Sequence, residues 1–190
     1  MKDISLKLKT ERLTLRSLNE NDVAHFLRFS NDVGFTCFSV PGHHPRDREG
    51  VLSQLRLRIT KFETNGIGVF LINLKDNEES IGICAVNPYE VEGKSEMELG
   101  FRLCLEHWGQ GFATEASRAI LNYAFREINL EKVVTFAVPQ NTASLKVIEK
   151  LGFRYSKTFV HANLLHRLYD LENRDFNLEN TENLKTVNYT

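Results

Sequence analysis

The residues best suited to chemistry lie in one stretch, His107-Trp-Gly-Gln-Gly-Phe-Ala-Thr-Glu-Ala116. Two glycines two residues apart let backbone N–H groups turn inward and approach an anion with no Cβ in the way. A helix beginning just after them adds partial positive charge at its N-terminus. Such a loop can hold a pyrophosphate, although Gly-x-Gly alone also closes ordinary turns. Two other nucleotide-binding patterns fail here. No Gly-Lys-Ser/Thr ends the segment, as a Walker loop requires, and Thr114 stands where a dinucleotide fingerprint needs its third glycine.

Carboxylates and small polar groups flank this loop. Glu96-Met-Glu-Leu-Gly-Phe-Arg-Leu103 reads as a strand, with Glu96, Glu98 and Gly100 on one face and Met97, Leu99 and Phe101 on the other. With Glu90 and Glu92 these acids form a run able to attract a cationic substrate. Downstream, Asn141 is well suited to cap a short helix that also carries Ser144. His43-His44 does not make a metal site, because adjacent loop residues rarely aim two imidazoles at one ion and no carboxylate stands at ligand spacing. Cys37, Cys84 and Cys104 are odd in number and lack Cys-x-x-Cys spacing, so they read as reduced, mostly buried thiols rather than as disulfides or zinc ligands. No metal is expected.

The elements that must position these groups follow from hydrophobic periodicity. Arg12 to Arg16 alternates as a half-buried strand, and Asn19-Glu-Asn-Asp22 supplies cap chemistry for a helix from Val23. Phe35 to His44 reads as a loop, with Pro45 placed where a helix could begin. Val51, Leu55, Ile59 and Phe62 then line one helical face, ending at Asn65-Gly66. Val69–Leu74 and Ser80–Val86 form a hairpin, followed by a polar loop at 87–95 and the strand that carries Glu98. Ala116, Ile120, Tyr123, Ala124 and Ile128 keep helical spacing, and Lys132 to Val138 is a β-branched and aromatic run. A strand, loop, helix and strand in that order predict a parallel pair. Asn141 to Leu151 is a second short helix closed by Gly152, and strands are expected at 153–160 and 165–171.

Composition bounds the rest. The chain has 190 residues, 42% of them apolar and 13 of them Phe, enough for one domain with a real core. Lys and Arg total 24 against 25 Asp and Glu, a net charge of −1 with no basic run, so a nucleic-acid partner is not expected. No apolar stretch approaches the roughly 20 residues of a membrane span, and Met1 to Thr10 lacks the apolar region of a signal peptide, so the expectation is a soluble, cytoplasmic protein without a membrane partner. Residues 173–190 are polar and are expected to be mobile or loosely docked.

The segment from Trp108 to Ala116 resembles the acyl-CoA-binding motif of the GNAT superfamily of N-acetyltransferases. The Gly-x-Ala end of that motif is met from Gly111 to Ala113, with Trp108 in place of the usual first basic residue. Thr10-Glu-Arg-Leu-Thr-Leu-Arg16, Glu98-Leu-Gly-Phe101 and Asn141-x-x-Ser144 leading into Glu149-Lys-Leu-Gly-Phe153 are similar to the Rim-type branch, which includes ribosomal-protein N-terminal acetyltransferases.

The resemblance implies an α/β (α+β) fold over residues 1–172, followed by the tail at 173–190. Its sheet would be mixed and mostly antiparallel, with six or seven strands, a splayed parallel pair and about four flanking helices. It implies acetyl-CoA as co-substrate, with pantetheine along the backbone of Phe101, Arg102 and Leu103. The pyrophosphate would sit on Trp108, Gly109, Gln110, Gly111, Phe112, Ala113 and Thr114, with Trp108 either touching ligand or merely packing. Glu98 takes the place of the catalytic base, directly or through a water, with Glu96 second. Many relatives place a Tyr acid in the helix after the Asn motif, where this chain has Ile148. Ser144 is then left to hydrogen-bond the departing thiolate, and Asn141 to bind pantetheine or substrate.

The implied acceptor is an amine, foremost a protein N-terminal α-amine, whose pKa near 8 asks for only a modest base. The acidic run favours instead a polyamine, an aminoglycoside or another small amine. A CoA-binding regulatory module without catalysis is the reading from a different class. Monomer and homodimer are equally compatible with the sequence.

Overall fold

The fold is taken from a computed structural model and is described for residues 5–39, 44, 47–176 and 185–189. His43 and the expected helix start at Pro45 lie outside the described residues. The first half contains β1 (Ser5–Lys9), β2 (Leu13–Ser17), α1 (Val23–Asn31), α2 (Val33–Thr36) and α3 (Arg48–Asn65). A meander of β3 (Val69–Leu74), β4 (Ser80–Val91) and β5 (Lys94–Leu103) follows, then α4 (Phe112–Arg126), β6 (Lys132–Ala137) and α5 (Thr142–Lys150). The chain ends with β7 (Arg154–His161), β8 (Leu164–Glu172) and β9 (Lys185–Tyr189).

Local chemistry explains most boundaries. Asn19 accepts a hydrogen bond from Asn21 N and opens the turn before α1. Asp47 accepts one from Gly50 N to start α3, and Gly66, in the left-handed region at φ 68°, closes it. Along α3, Val51, Leu55 and Phe62 are buried, as their spacing predicts.

The strands form one sheet in the order β7-β8-β6-β5-β4-β3-β2-β1-β9, and every pairing is antiparallel except β5 with β6. This is the mixed, mostly antiparallel α/β sheet with a parallel pair, but with nine strands where six or seven were expected. β1 escapes a periodicity reading because it has only Leu6 and Leu8 to bury. β9 escapes it because its pairing with β1 depends on backbone groups at a sheet edge. The polar tail is therefore not merely loose: Asn173–Asp175 forms a 3-10 turn, and Phe176 is buried with its ring centroid 5.2 Å from that of Phe125.

Two other expectations are corrected. The polar stretch 87–95 is not a loop: β4 and β5 stay paired from Asn87↔Glu98 to Val91↔Lys94. Glu92 and Gly93, at φ 50° and 78°, make the two-residue turn, which needs positive φ at both positions. Its outer ends carry polar side chains, so the apolar signal fades while the backbone ladder continues. Within the expected Phe35–His44 loop, the short α2 is capped by Asp32, which accepts from Phe35 N at 2.9 Å.

Apolar side chains pack on both faces of the sheet. On one, Phe112, Ala116, Ile120 and Ala124 of α4 and Ile148 of α5 join Leu99, Leu103 and Val133. On the other, Phe26, Phe29, Phe35, Val51 and Leu55 of α1, α2 and α3 join Leu71, Ile83 and Ala85.

A polar clamp ties the β1–β2 corner to the first turn of α4. Glu115 accepts from Thr10 Oγ1 at 2.6 Å, Arg12 N at 2.9 Å and Arg12 Nε at 2.7 Å. Arg12 Nη1 also donates to the Gln110 carbonyl at 3.0 Å, and the guanidinium lies 4.4 Å from the Phe112 ring centroid. Burial works to raise Glu115, but the Thr10 and Arg12 hydrogen bonds outweigh it and hold the carboxyl below its ordinary value. Arg12→Ala is expected to lower the unfolding free energy by about 1–3 kcal/mol. Urea unfolding should show the loss, and hydrogen exchange should show faster amide exchange across 109–116.

Candidate functional site

The site begins where β5 and β6 part. Glu98↔Val134 is their one paired position, whereas β6 stays paired with β8 from Lys132↔Glu172 to Ala137↔Arg167. Thr135 Oγ1 donates to the Leu99 carbonyl at 2.9 Å and substitutes a side chain for the next ladder bond. Beyond it the β5 edge is open toward β6 at Phe101 and Leu103.

The three expected pantetheine positions differ in setting. Phe101 and Leu103 present backbone to the gap, and the Leu103 carbonyl already accepts from Trp108 Nε1 at 2.9 Å. The Arg102 carbonyl faces β4 instead, where a Cβ at Gly82 would stand 2.1 Å from it. The Arg102 side chain turns toward α2, with Nη1 donating to Phe35 O at 3.2 Å and to Ser39 Oγ. Trp108, half-buried against the core, is a packing strut for the loop.

The glycine loop meets the requirements of an anion cradle. Gly111 is the N-cap of α4 at φ 84°, a conformation that favours glycine, and it offers no capping side chain. The first helical hydrogen bond runs from Glu115 N to Gly111 O at 3.0 Å. The N–H groups of Gly111, Phe112, Ala113 and Thr114 thus have no acceptor among the described residues, and the helix dipole adds to their pull on an anion. Gly109, at φ 75°, leaves open space where a Cβ would be. Gln110 points away, with Nε2 donating to Glu106 O at 2.8 Å. These residues fit the pyrophosphate of acetyl-CoA.

Glu98 sits at the parting point, on the sheet face shared with α1–α3. Its carboxylate lies over Gly100, where a Cβ would be 3.4 Å from both oxygens. No hydrogen bond or ion pair holds it among the described residues. Burial pushes it up to about 7, with the Arg102 charge pulling the other way. Beside it, burial and the Glu98 charge push the Tyr89 phenol above its ordinary value, and Tyr89 Oη is 2.8 Å from His161 Nε2. Two other acids of the run are engaged: Glu96 pairs with Lys132 at 2.8 Å, and Glu92 pairs with Lys157.

Asn141 and Ser144 lie at the start of α5, just past the end of β6. Asn141 Oδ1 accepts from Ser144 N at 3.1 Å, the cap read from the sequence, and its amide N–H groups stay available. Ile148 is buried in the core. Burial pushes the thiols of Cys84 up to about 12 and Cys104 up to about 11, so neither is a thiolate near neutral pH. Among the described residues, the one grouping of His, Cys and carboxylate side chains close enough to share an ion is Glu79, Glu106 and His107. There Arg28 already pairs with Glu79 at 3.2 Å.

Four contributors carry no signal in the sequence that marks their role. Arg12 and Thr10 stand out only as part of a motif, because their partner Glu115 is about a hundred residues away. Tyr89 lies in a stretch that reads as a loop. Arg58 on α3, beside Arg102, carries no motif.

Comparison with known proteins gives a concordant result. A family model described as an acetyltransferase (GNAT) domain matches residues 12–154. The uncharacterised protein YkkB of Bacillus subtilis is 34% identical over 154 residues, covering 80% of this chain and 87% of its own. The ribosomal-protein-S5-alanine acetyltransferase of Vibrio fischeri superposes with a TM-score of 0.74 at 19% identity, covering 90% of this chain and 98% of its own. RimL, a ribosomal alpha-N-protein acetyltransferase solved in complex with coenzyme A, superposes with a TM-score of 0.72 at 17% identity, covering 86% and 95%. At such identities the structural likeness is one of fold. The sequence matches, spanning most of the chain and including the glycine loop, establish that it belongs to the GNAT acetyltransferase family.

Proposed function

We propose that this protein transfers the acetyl group of acetyl-CoA to a primary amine by direct attack of the amine on the thioester. The observation that carries the reading is a single carboxylate, Glu98, poised near neutrality where β5 and β6 separate, next to a glycine loop with free N–H groups. Bound acetyl-CoA supplies an activated acetyl group and leaves as a thiol. The Gly111–Thr114 N–H groups hold its pyrophosphate, and the Phe101 and Leu103 backbone and the Asn141 amide line the path of its pantetheine.

Glu98 accepts the proton that the acceptor ammonium must lose. A carboxylate held at about 7 is a far better match for an amine than one near 4.5. The Ser144 hydroxyl offers a hydrogen bond to the departing sulfur, the part that a phenol at position 148 would otherwise play. Cys84 and Cys104 are held as buried thiols, and direct attack of the amine calls on no cysteine nucleophile.

A protein N-terminal α-amine is one acceptor of this kind, and two of the fold neighbours are named as ribosomal-protein acetyltransferases, whereas another is named for microcin C7 self-immunity. A polyamine is less well supported, because Lys157 and Lys132 already occupy Glu92 and Glu96.

A thiol-release assay with acetyl-CoA tests the reading against short peptides, amino acids, polyamines and aminoglycosides. Turnover of an amine is expected; clear CoA binding with no amine turned over would favour a regulatory module. Activity should rise with pH through about 7 as Glu98 ionises, and Glu98→Gln should lower kcat by about 10²–10⁴-fold and flatten that rise. An unchanged profile would remove Glu98 from the reaction.

Stability should move in the opposite sense. With its folded pKa raised, Glu98 favours folding fully below about 4.5, and that contribution is lost as pH climbs to about 7. Glu98→Gln is therefore expected to be more stable than the parent above pH 7, by up to about 3 kcal/mol, with the gap closing in acid.

Gly111→Val should raise KM for acetyl-CoA and abolish the rise in melting temperature that CoA produces, while Gln110→Ala changes both little.

A further inference from the structure

Two guanidiniums share the sheet face that carries Glu98. Arg102 stands four residues along β5 from Glu98 on the same face, so its Cα is about 13 Å away. The Glu98 carboxylate leans over Gly100 toward it, and each group feels the other's charge. Arg58 comes from α3, with its guanidinium 5.1 Å from the Phe26 ring centroid and Nη2 donating to Gln54 Oε1 at 3.5 Å. Both side chains are partly buried and keep partial solvent access.

Among the described residues the pair has no ion-pair partner, although Arg102 feels the charges of Glu98 and Cys37. Neither Arg58 nor Arg102 forms an ion pair among the described residues, although the more exposed Arg12, Arg56 and Arg154 each do. The segment from Cys37 to Arg46, which contains the Arg102 partner Ser39, has no Asp or Glu. Burial and the Arg102 charge push Arg58 down to about 10, and burial pushes Arg102 down as well. Guanidiniums drawn out of water beside each other are unfavourable unless an anion completes them. Glu98 does not, since it supplies at most one negative charge and makes no ion pair with either. A guanidinium presents a planar fork of donors that matches a carboxylate.

We propose that Arg58 and Arg102 form an anion-binding subsite beside Glu98, and that the acceptor is an amine carrying a carboxylate close by. Its amine lies at Glu98 and its carboxylate on the two guanidiniums. The proposal rests on the acetyl-transfer reading and refines its acceptor. It turns away polyamines, which would bring further positive charge to the pair. A free amino acid supplies the required chemistry, and so does a peptide N-terminus followed by an acidic residue.

Matched acceptors separate these sources. L-Phenylalanine is compared with its amide and with phenethylamine, and a Ser-Asp peptide with a Ser-Asn peptide, by thiol release. The carboxylate-bearing member of at least one set is expected to win by about 10- to 100-fold in kcat/KM, and the winning set identifies the source. Arg58→Gln should shrink that ratio toward one by raising KM for the acid alone; Arg102→Gln should shrink it as well while also shifting the pH profile set by Glu98, and Arg102→Lys should recover part of the ratio. Neutral members used as well as acids would overturn the subsite and leave acetyl transfer standing.

Binding gives an independent arm. N-Acetyl-L-phenylalanine should raise the melting temperature more than its amide does, with the difference lost in Arg58→Gln. That result without turnover of any amine would keep the subsite and sink the acetyl-transfer reading. Equal shifts for acid and amide would sink the subsite.

Discussion

The parting of β5 from β6 is the constraint on which the site depends. A parallel pair held at one position leaves a row of β5 backbone groups without strand partners inside an otherwise continuous sheet. Unpaired backbone polar groups are costly to bury, so such a gap persists only where side chains and a ligand take over the ladder. Thr135 and Trp108 each satisfy one β5 carbonyl, and what remains is a slot with strand-like hydrogen-bonding capacity. The same parting puts Glu98 at the slot's edge, where burial can raise its pKa while access is preserved.

The second half of the design is a helix that begins without a cap. The α4 N-terminus leaves four N–H groups to an anion, and a helix start of this kind needs support from elsewhere. That support is the clamp of Thr10 and Arg12 on Glu115, reached from the β1–β2 corner. Glu115 sits one residue beyond the free N–H groups, so the clamp fixes their direction without occupying them. Arg12 also covers Phe112 and holds the Gln110 carbonyl, and it thereby ties the loop and the helix into one body.

Charge is divided between the two sides of the protein. The cradle works through backbone dipoles and needs no excess of Lys or Arg, which accords with a net charge of −1. On the opposite sheet face Glu98 and Arg102 feel each other's charge, and Arg58 feels that of Arg102. On the proposed reading, one part of the protein binds by geometry and another selects by charge.

The glycine loop, the helix after it, the strand with Glu98 and the Asn141 cap were all legible in the sequence. Each is a local event: a glycine allows a left-handed turn, an Asn side chain reaches an N–H three residues on, and alternation assigns a strand face. The long β4–β5 hairpin was not legible, because its outer residues are polar and its cohesion is backbone pairing. Nor were β1 and β9, which are too short or too polar to announce themselves. The sequence by itself thus determined the family, the cradle and the candidate base. Only the tertiary structure decided what surrounds them: that Arg12 serves Glu115, that Tyr89 feels the charge of Glu98, and that Arg58 on a helix feels that of Arg102 on a strand. Those are relations between residues distant in the chain, set by how sheet and helices pack, and no periodicity along the sequence encodes them.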